Sequence, residues 1–116
     1  HAKYLNYLTQ AKLILKRSEA LQNILLKDKF LWYSGKMSRE DIDQKGWSHD
    51  PFDGLKMMKG DLNYYYESDK ELQASEAKVT YYKTMIETLK EIVEGLKWRH
   101  QTIKNIIEVR KFEAGA

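Results

Sequence analysis

The sequence predicts an all-α protein built as a long helical hairpin: two long helices joined by an irregular acidic connector, assembling into a homo-oligomer. Three observations carry this expectation. Apolar residues recur at three-four spacing from Ser68 to Phe112, a stretch with no proline and one glycine. The same alternation runs from Lys3 to Tyr33. Between them, residues 34–67 lose the periodicity and hold Gly35, Gly46, Gly54, Gly60 and Pro51. One helical domain over residues 1–116 is expected, with a first helix at 3–33, a connector at 34–67 and a long helix at 68–112.

In the first helix, Tyr7, Ala11, Ile14, Ser18, Leu21, Leu25 and Trp32 form the apparent seam. Lys12, Lys16 and Lys27 fall together on the opposite face with Arg17 beside them, a linear basic track. Lys29 stands about 200° round the helix from Lys27, next to the seam. In the connector, His49-Asp50-Pro51-Phe52-Asp53-Gly54 is a strong turn cluster. A short helix is expected over Leu55 to Lys59. Leu62 to Tyr66 has strand-like composition, although its three tyrosines could equally pack across the helix pair.

The long helix begins at Ser68-Asp69-Lys70-Glu71, which reads as a capping box. Its stripe is Leu72, Val79, Tyr82, Ile86, Leu89, Val93, Leu96, Ile103 and Ile107, widened by Met85, Ile92 and Ile106, and Gly115 offers a stop. A helix of this length spans roughly 65 Å. A partner of about 30 residues cannot cover it at 1.5 Å rise per residue. The stripe beyond Leu96 is therefore expected to drive self-association, with His100 as a polar seam position that can set register.

With 116 residues there is room for one modest core and no second domain. The absence of cysteine excludes a disulfide framework and a thiolate metal site. No run is apolar enough to span a bilayer, and no signal-peptide pattern opens the chain. It begins at His1 without an initiator Met, so an N-terminal segment is expected to precede it. The net charge of +3 is unevenly spread. Residues 1–39 carry eight Lys/Arg against two acids, residues 40–76 four against ten, and residues 77–116 eight against five. Basic arms around an acidic connector suit a polyanionic partner.

Enzymatic chemistry finds little support. Glu40, Asp41, Asp43, Asp50 and Asp53 suggest a metal site, but as a calcium loop they place Lys45 fifth from Asp41 and Phe52 twelfth, where a glutamate is required. A solvated acidic loop is the expected reading. His100 has no second His or Cys at metal spacing. No phosphate-binding glycine loop and no nucleophile–base pair stands out, so no catalytic residue, metal or cofactor is expected. The stretch Leu26-Lys27-Asp28-Lys29-Phe30-Leu31-Trp32-Tyr33-Ser34-Gly35-Lys36 interleaves cations with aromatics. That pattern suits single-stranded nucleic acid, or alternatively a helix end with its rings in the core.

Lys3-Tyr4-Leu5-Asn6, Leu26-Lys27-x-Lys29 leading into Tyr33-Ser34-Gly35-Lys36, Ile103-Lys104-x-Ile106 and Arg110-x-Phe112-Glu113-Ala114-Gly115 occur in that order. This arrangement resembles the UvsY family of recombination mediators of T-even-type bacteriophages. The likeness covers both helices and fades in the connector. It implies a non-enzymatic protein of the infected bacterial host's cytoplasm that forms homo-oligomeric, heptameric rings and binds single-stranded DNA. It further implies partnership with a RecA-like phage recombinase, which such proteins help load onto strands coated by the phage single-strand-binding protein.

The family's DNA-binding motif, a Lys with an Arg two residues on before the Tyr-Ser-Gly turn, carries onto Lys27 and Lys29. Here Lys replaces Arg at 29, and Asp28 stands between the two. The expected DNA-binding set is Lys27, Lys29 and Lys36 with Lys12, Lys16 and Arg17. The expected oligomerisation set is Leu96, His100, Ile103 and Ile107, with Arg110 and Phe112 of the C-terminal motif. A charged head beside a buried seam is costly unless it snorkels out. The first helix is therefore expected to loosen at the Tyr33-Ser34-Gly35 turn, letting Lys29 swing out beside Lys27 and Lys36. The alternative function is a coiled-coil structural or adaptor protein with no DNA role.

Overall fold

A computed structural model describes residues 2–58 and 60–115. The fold is all-α, with two long helices packed antiparallel: α1 (Ala2–Tyr33) and α4 (Lys70–Gly115). The segment between them is more ordered than its composition suggests, because it contains α2 (Arg39–Lys45) and α3 (Leu62–Ser68). Ser38 caps α2 by accepting the Asp41 amide proton, and Gly46, at φ 73°, ends it. The strand-like run Leu62–Tyr66 is helical in α3. Leu55–Met58 has no regular structure, and Lys59 lies outside the described residues.

Two expectations are corrected. Helix α1 stays regular to Tyr33, so Lys29 does not swing out beside Lys27 and Lys36. The helix then stops in a Schellman motif: Lys36 N–H donates to the Leu31 carbonyl at 2.8 Å and Gly35 N–H to the Trp32 carbonyl at 3.2 Å. Gly35 supplies the left-handed conformation this needs, at φ 74°. At the start of α4 the cap is Asp69 rather than Ser68. Its Oδ1 accepts the Leu72 amide proton at 3.0 Å, while Ser68 belongs to α3 and bonds back to the Tyr64 carbonyl.

The contacts divide into two compact units. In the unit formed by His1–Leu15 and Tyr81–Ala116, Ala11, Ile86 and Leu89 are the core, with Leu8, Leu15 and Met85 packed around them. Val93 is buried and Leu96 half-buried, each large apolar side chain contributing about 1.5–3 kcal/mol when fully covered. Ala11 is the small residue that lets the two helices approach. Tyr7 and Ile14, assigned to the seam above, are exposed, and Leu8 and Leu15 take their places. Beyond Leu96 every described residue to Gly115 is exposed, Ile103, Ile106, Ile107, Val109 and Phe112 among them.

In the unit Lys16–Thr80, Ser18, Lys29 and Tyr33 of α1 are buried, Gln22, Leu25, Asp28, Leu31 and Trp32 are half-buried, and Leu21 is exposed. Leu72 and Val79 of α4 and Ile42 of α2 are buried here. Tyr65 and Tyr66 of α3 stack around the Tyr33 ring at 6.2 and 5.2 Å between centroids, and Phe52 lies at 6.0 Å. The tyrosine cluster thus packs against the end of α1.

Candidate nucleic-acid interface

All the cations assigned to DNA except Lys29 are exposed: Lys12 in the first unit, and Lys16, Arg17, Lys27 and Lys36 in the second. Lys16 and Lys27 are eleven residues apart on α1, about three full turns, so they share a face. Glu19 and Asn23 sit on that face between them, Glu19 one turn from Lys16, and Phe30 continues it one turn beyond Lys27. Among the described residues, no carboxylate lies within ion-pairing distance of Lys16, Arg17, Lys27 or Lys36. Asp28, the acid inside the motif, is held by Lys45 at 3.0 Å, which offsets its charge.

Lys29 is placed elsewhere. Because helix α1 remains regular, the residue stays about 200° from Lys27 and points into the unit, only 3% exposed. Its ammonium meets Asp69 Oδ2 at 3.0 Å and Glu71 Oε1 at 3.4 Å. The rings of Trp32 and Trp47 close over it at 4.6 and 4.1 Å from their centroids. The cage is braced from outside. Tyr33 donates its hydroxyl hydrogen to Asp69 Oδ2 at 2.6 Å, Trp47 Nε1 donates to Glu71 Oε1 at 2.8 Å, and Trp32 Nε1 donates to the Ser48 carbonyl at 2.8 Å.

The cage accounts for its own titration behaviour. Burial pushes Asp69 towards the neutral form, but hydrogen bonds from Tyr33, the Leu72 amide and Lys29, with the lysine charge, hold its carboxyl below the usual carboxylate range. Tyr33 is pushed well above the ordinary tyrosine range, by burial first and then by its bond to the Asp69 carboxylate. A buried cation satisfied in this way orients α1 against the start of α4. In the free chain its ammonium is enclosed by two carboxylates and two indoles. Nothing in the sequence marked Lys29 as internal except its helical angle, and Trp47 and Asp69 were not singled out as its partners.

The connector acids serve local structure. Asp50 accepts the amides of Phe52 and Gly54 at 3.0 and 2.6 Å, Asp61 accepts that of Met58 at 3.2 Å, and Asp43 pairs with His49 at 2.9 Å. No group of three or more His, Asp or Glu among the described residues is arranged to hold a metal ion. The residues assigned to self-association, Leu96, His100, Ile103, Ile107, Arg110 and Phe112, all lie on α4. Leu96 is half-buried and the other five are exposed. No helix is long and apolar enough to cross a membrane among the described residues.

These features define an all-α protein with exposed cations along one long helix, three of them lysines on one face that also carries Glu19. Comparison with known proteins makes this specific. The chain belongs to the UvsY family, described as "Recombination, repair and ssDNA binding protein UvsY", which it matches over residues 1–116. It is 27% identical over 115 residues to the recombination protein uvsY of Enterobacteria phage T4, an alignment covering 99% of this chain and 77% of that protein. No solved structure gives a significant match. Membership places the chain among recombination, repair and single-stranded-DNA-binding proteins, a family that is generally non-enzymatic.

Proposed function

We propose that this protein is a recombination mediator that binds single-stranded DNA as a homo-oligomeric ring and helps load a RecA-like phage recombinase onto strands coated by single-strand-binding protein, in the cytoplasm of the infected host. The observation that carries this reading is the division of labour along the two helices. Helix α1 offers Lys16, Arg17 and Lys27, and the turn that follows it offers Lys36, without acidic partners among the described residues; Lys12 is exposed on the same helix. Helix α4 offers an uncovered apolar stripe past Leu96. Exposed isoleucines and a phenylalanine at helical spacing are an association surface in water. A ring would multiply each subunit's phosphate contacts through avidity, giving tight but sequence-tolerant binding that can still be handed over.

The experiment is to measure assembly mass and recombinase loading for the full chain and for the double variant Ile103→Glu/Ile107→Glu. The double variant is expected to be helical, smaller, weaker on single-stranded DNA and poor at loading. An unchanged assembly mass would remove the α4 stripe from the assembly. Loading that persists in the smaller species would remove the ring from the mechanism.

A further inference from the structure

Helix α1 ends with three aromatic residues, and the fold uses them differently. Tyr33 is buried under the tyrosines of α3 and bonded to Asp69. Trp32 lies against Trp47 at 5.0 Å, covers the Lys29 ammonium and is anchored to the Ser48 carbonyl. Phe30 is 47% exposed and has no ring partner among the described residues. It stands one turn from Lys27 on the same helix face, and the Lys36 ammonium lies 5.6 Å from its ring centroid. The Lys36 ammonium lies over one face of the ring, which is otherwise half exposed beside two cations with no carboxylate partner among the described residues, a setting that suits a partner both flat and anionic.

We infer that Phe30 is a base-stacking residue for single-stranded DNA, with Lys27 and Lys36 contacting the phosphates on either side of the stacked nucleotide. This rests on the single-stranded-DNA reading above and assigns one residue the base contact within it. The buried Lys29 cage contributes indirectly: it fixes the rotation of α1 so that Phe30 and Lys27 face outward together. Stacking discriminates little among bases, because every base presents a π-face, so the contact suits a protein that must bind any sequence. Duplex DNA keeps its bases stacked internally and offers Phe30 no face, so the ring also favours single strands.

The test uses the full chain with two labelled oligonucleotides of equal length, oligo-dT and the same backbone lacking bases, followed by fluorescence anisotropy across a salt series. Assembly mass is measured in parallel. Phe30→Ala is expected to weaken oligo-dT binding about 5- to 150-fold at constant salt slope. Phe30→Trp should restore it. On the abasic strand the wild type and Phe30→Ala should bind alike. Unchanged oligo-dT affinity in Phe30→Ala overturns the inference, as does an equal loss on both strands. A loss accompanied by lower assembly mass also overturns it, by placing Phe30 in a contact between subunits. Wild-type protein that binds neither strand in a salt-dependent way overturns the underlying single-stranded-DNA reading instead.

Discussion

Replacing Lys29 with methionine should destabilise the protein by about 3 kcal/mol, as a one-sided break of a buried ion pair. The side chains of Lys29 and Asp69 are 3% and 4% exposed, so the loss leaves a carboxylate with almost no access to water. Such breaks typically cost about 3–5 kcal/mol. The low end applies because Asp69 keeps two of its donors, the Tyr33 hydroxyl at 2.6 Å and the Leu72 amide at 3.0 Å. Asp69→Asn should cost less, about 2 kcal/mol, since asparagine caps a helix as well as aspartate and Lys29 retains Glu71 and the two indoles. The double variant should fall short of the sum by about 1–2 kcal/mol, the coupling expected of residues in contact. Urea unfolding followed by far-UV circular dichroism measures this, at fixed protomer concentration because assembly adds to apparent stability. Additivity within about 0.5 kcal/mol would refute the internal pair. So would a Lys29→Met variant of unaltered stability that loses DNA affinity, because Lys29 would then be a phosphate contact.

The same cage gives the stability a pH dependence. Asp69 has a lowered folded pKa, so its contribution is present above the unfolded value of about 3.9 and lost as the pH falls through the lower folded value. Tyr33 has a raised folded pKa, so its contribution is intact below about 10 and lost as the pH rises through the higher folded value. Urea midpoints across pH should show both limbs, and Asp69→Asn should flatten the acid one; an unaltered acid limb would mean another group controls it. Lys27→Ala should weaken single-stranded-DNA binding and reduce the log–log salt slope by roughly 0.7, one phosphate contact, with the helical spectrum unchanged. An identical slope would take Lys27 off the phosphate path.

The buried part of the α4 stripe was legible, because Leu72, Val79, Ile86, Leu89 and Val93 keep an apolar three-four or heptad spacing and all are buried. The seam of α1 was half legible. One row, Ala11, Ser18, Leu25 and Trp32, is buried or half-buried as read. The other was placed one residue early, at Tyr7, Ile14 and Leu21 instead of Leu8, Leu15, Gln22 and Lys29. Both rows have the heptad period, and Gln22 and Lys29 make the true row look like the solvent face. The cation is tolerated inside because Asp69, forty residues later, supplies the charge, and Trp47 and Trp32 supply the walls. No local pattern encodes that pairing. In the connector, α2 has a serine cap and a glycine stop that its acidic composition masked. Helix α3 lacks a side-chain cap bond and is read from composition as strand. The exposed basic residues were legible because a helical face depends only on spacing, and Phe30 was distinguished from Trp32 and Tyr33 only once their partners were known.

The bond from Tyr33 to Asp69 joins the two ends of the connector, making residues 34–68 a closed loop. The entropy of closing such a loop changes slowly with its length, by about 0.6 kcal/mol for each doubling. Within it, Arg39–Trp47 is committed, since α2 delivers the indole of Trp47 to Lys29 and Glu71. Leu55–Met58 has no such commitment: it has no regular structure, and the Leu55 and Met58 side chains are exposed. Insertions there should leave the two long helices in register at little thermodynamic penalty. The connector can therefore change in length while the same helix pair is kept, which places the freedom to acquire new surface in the segment around Leu55–Met58.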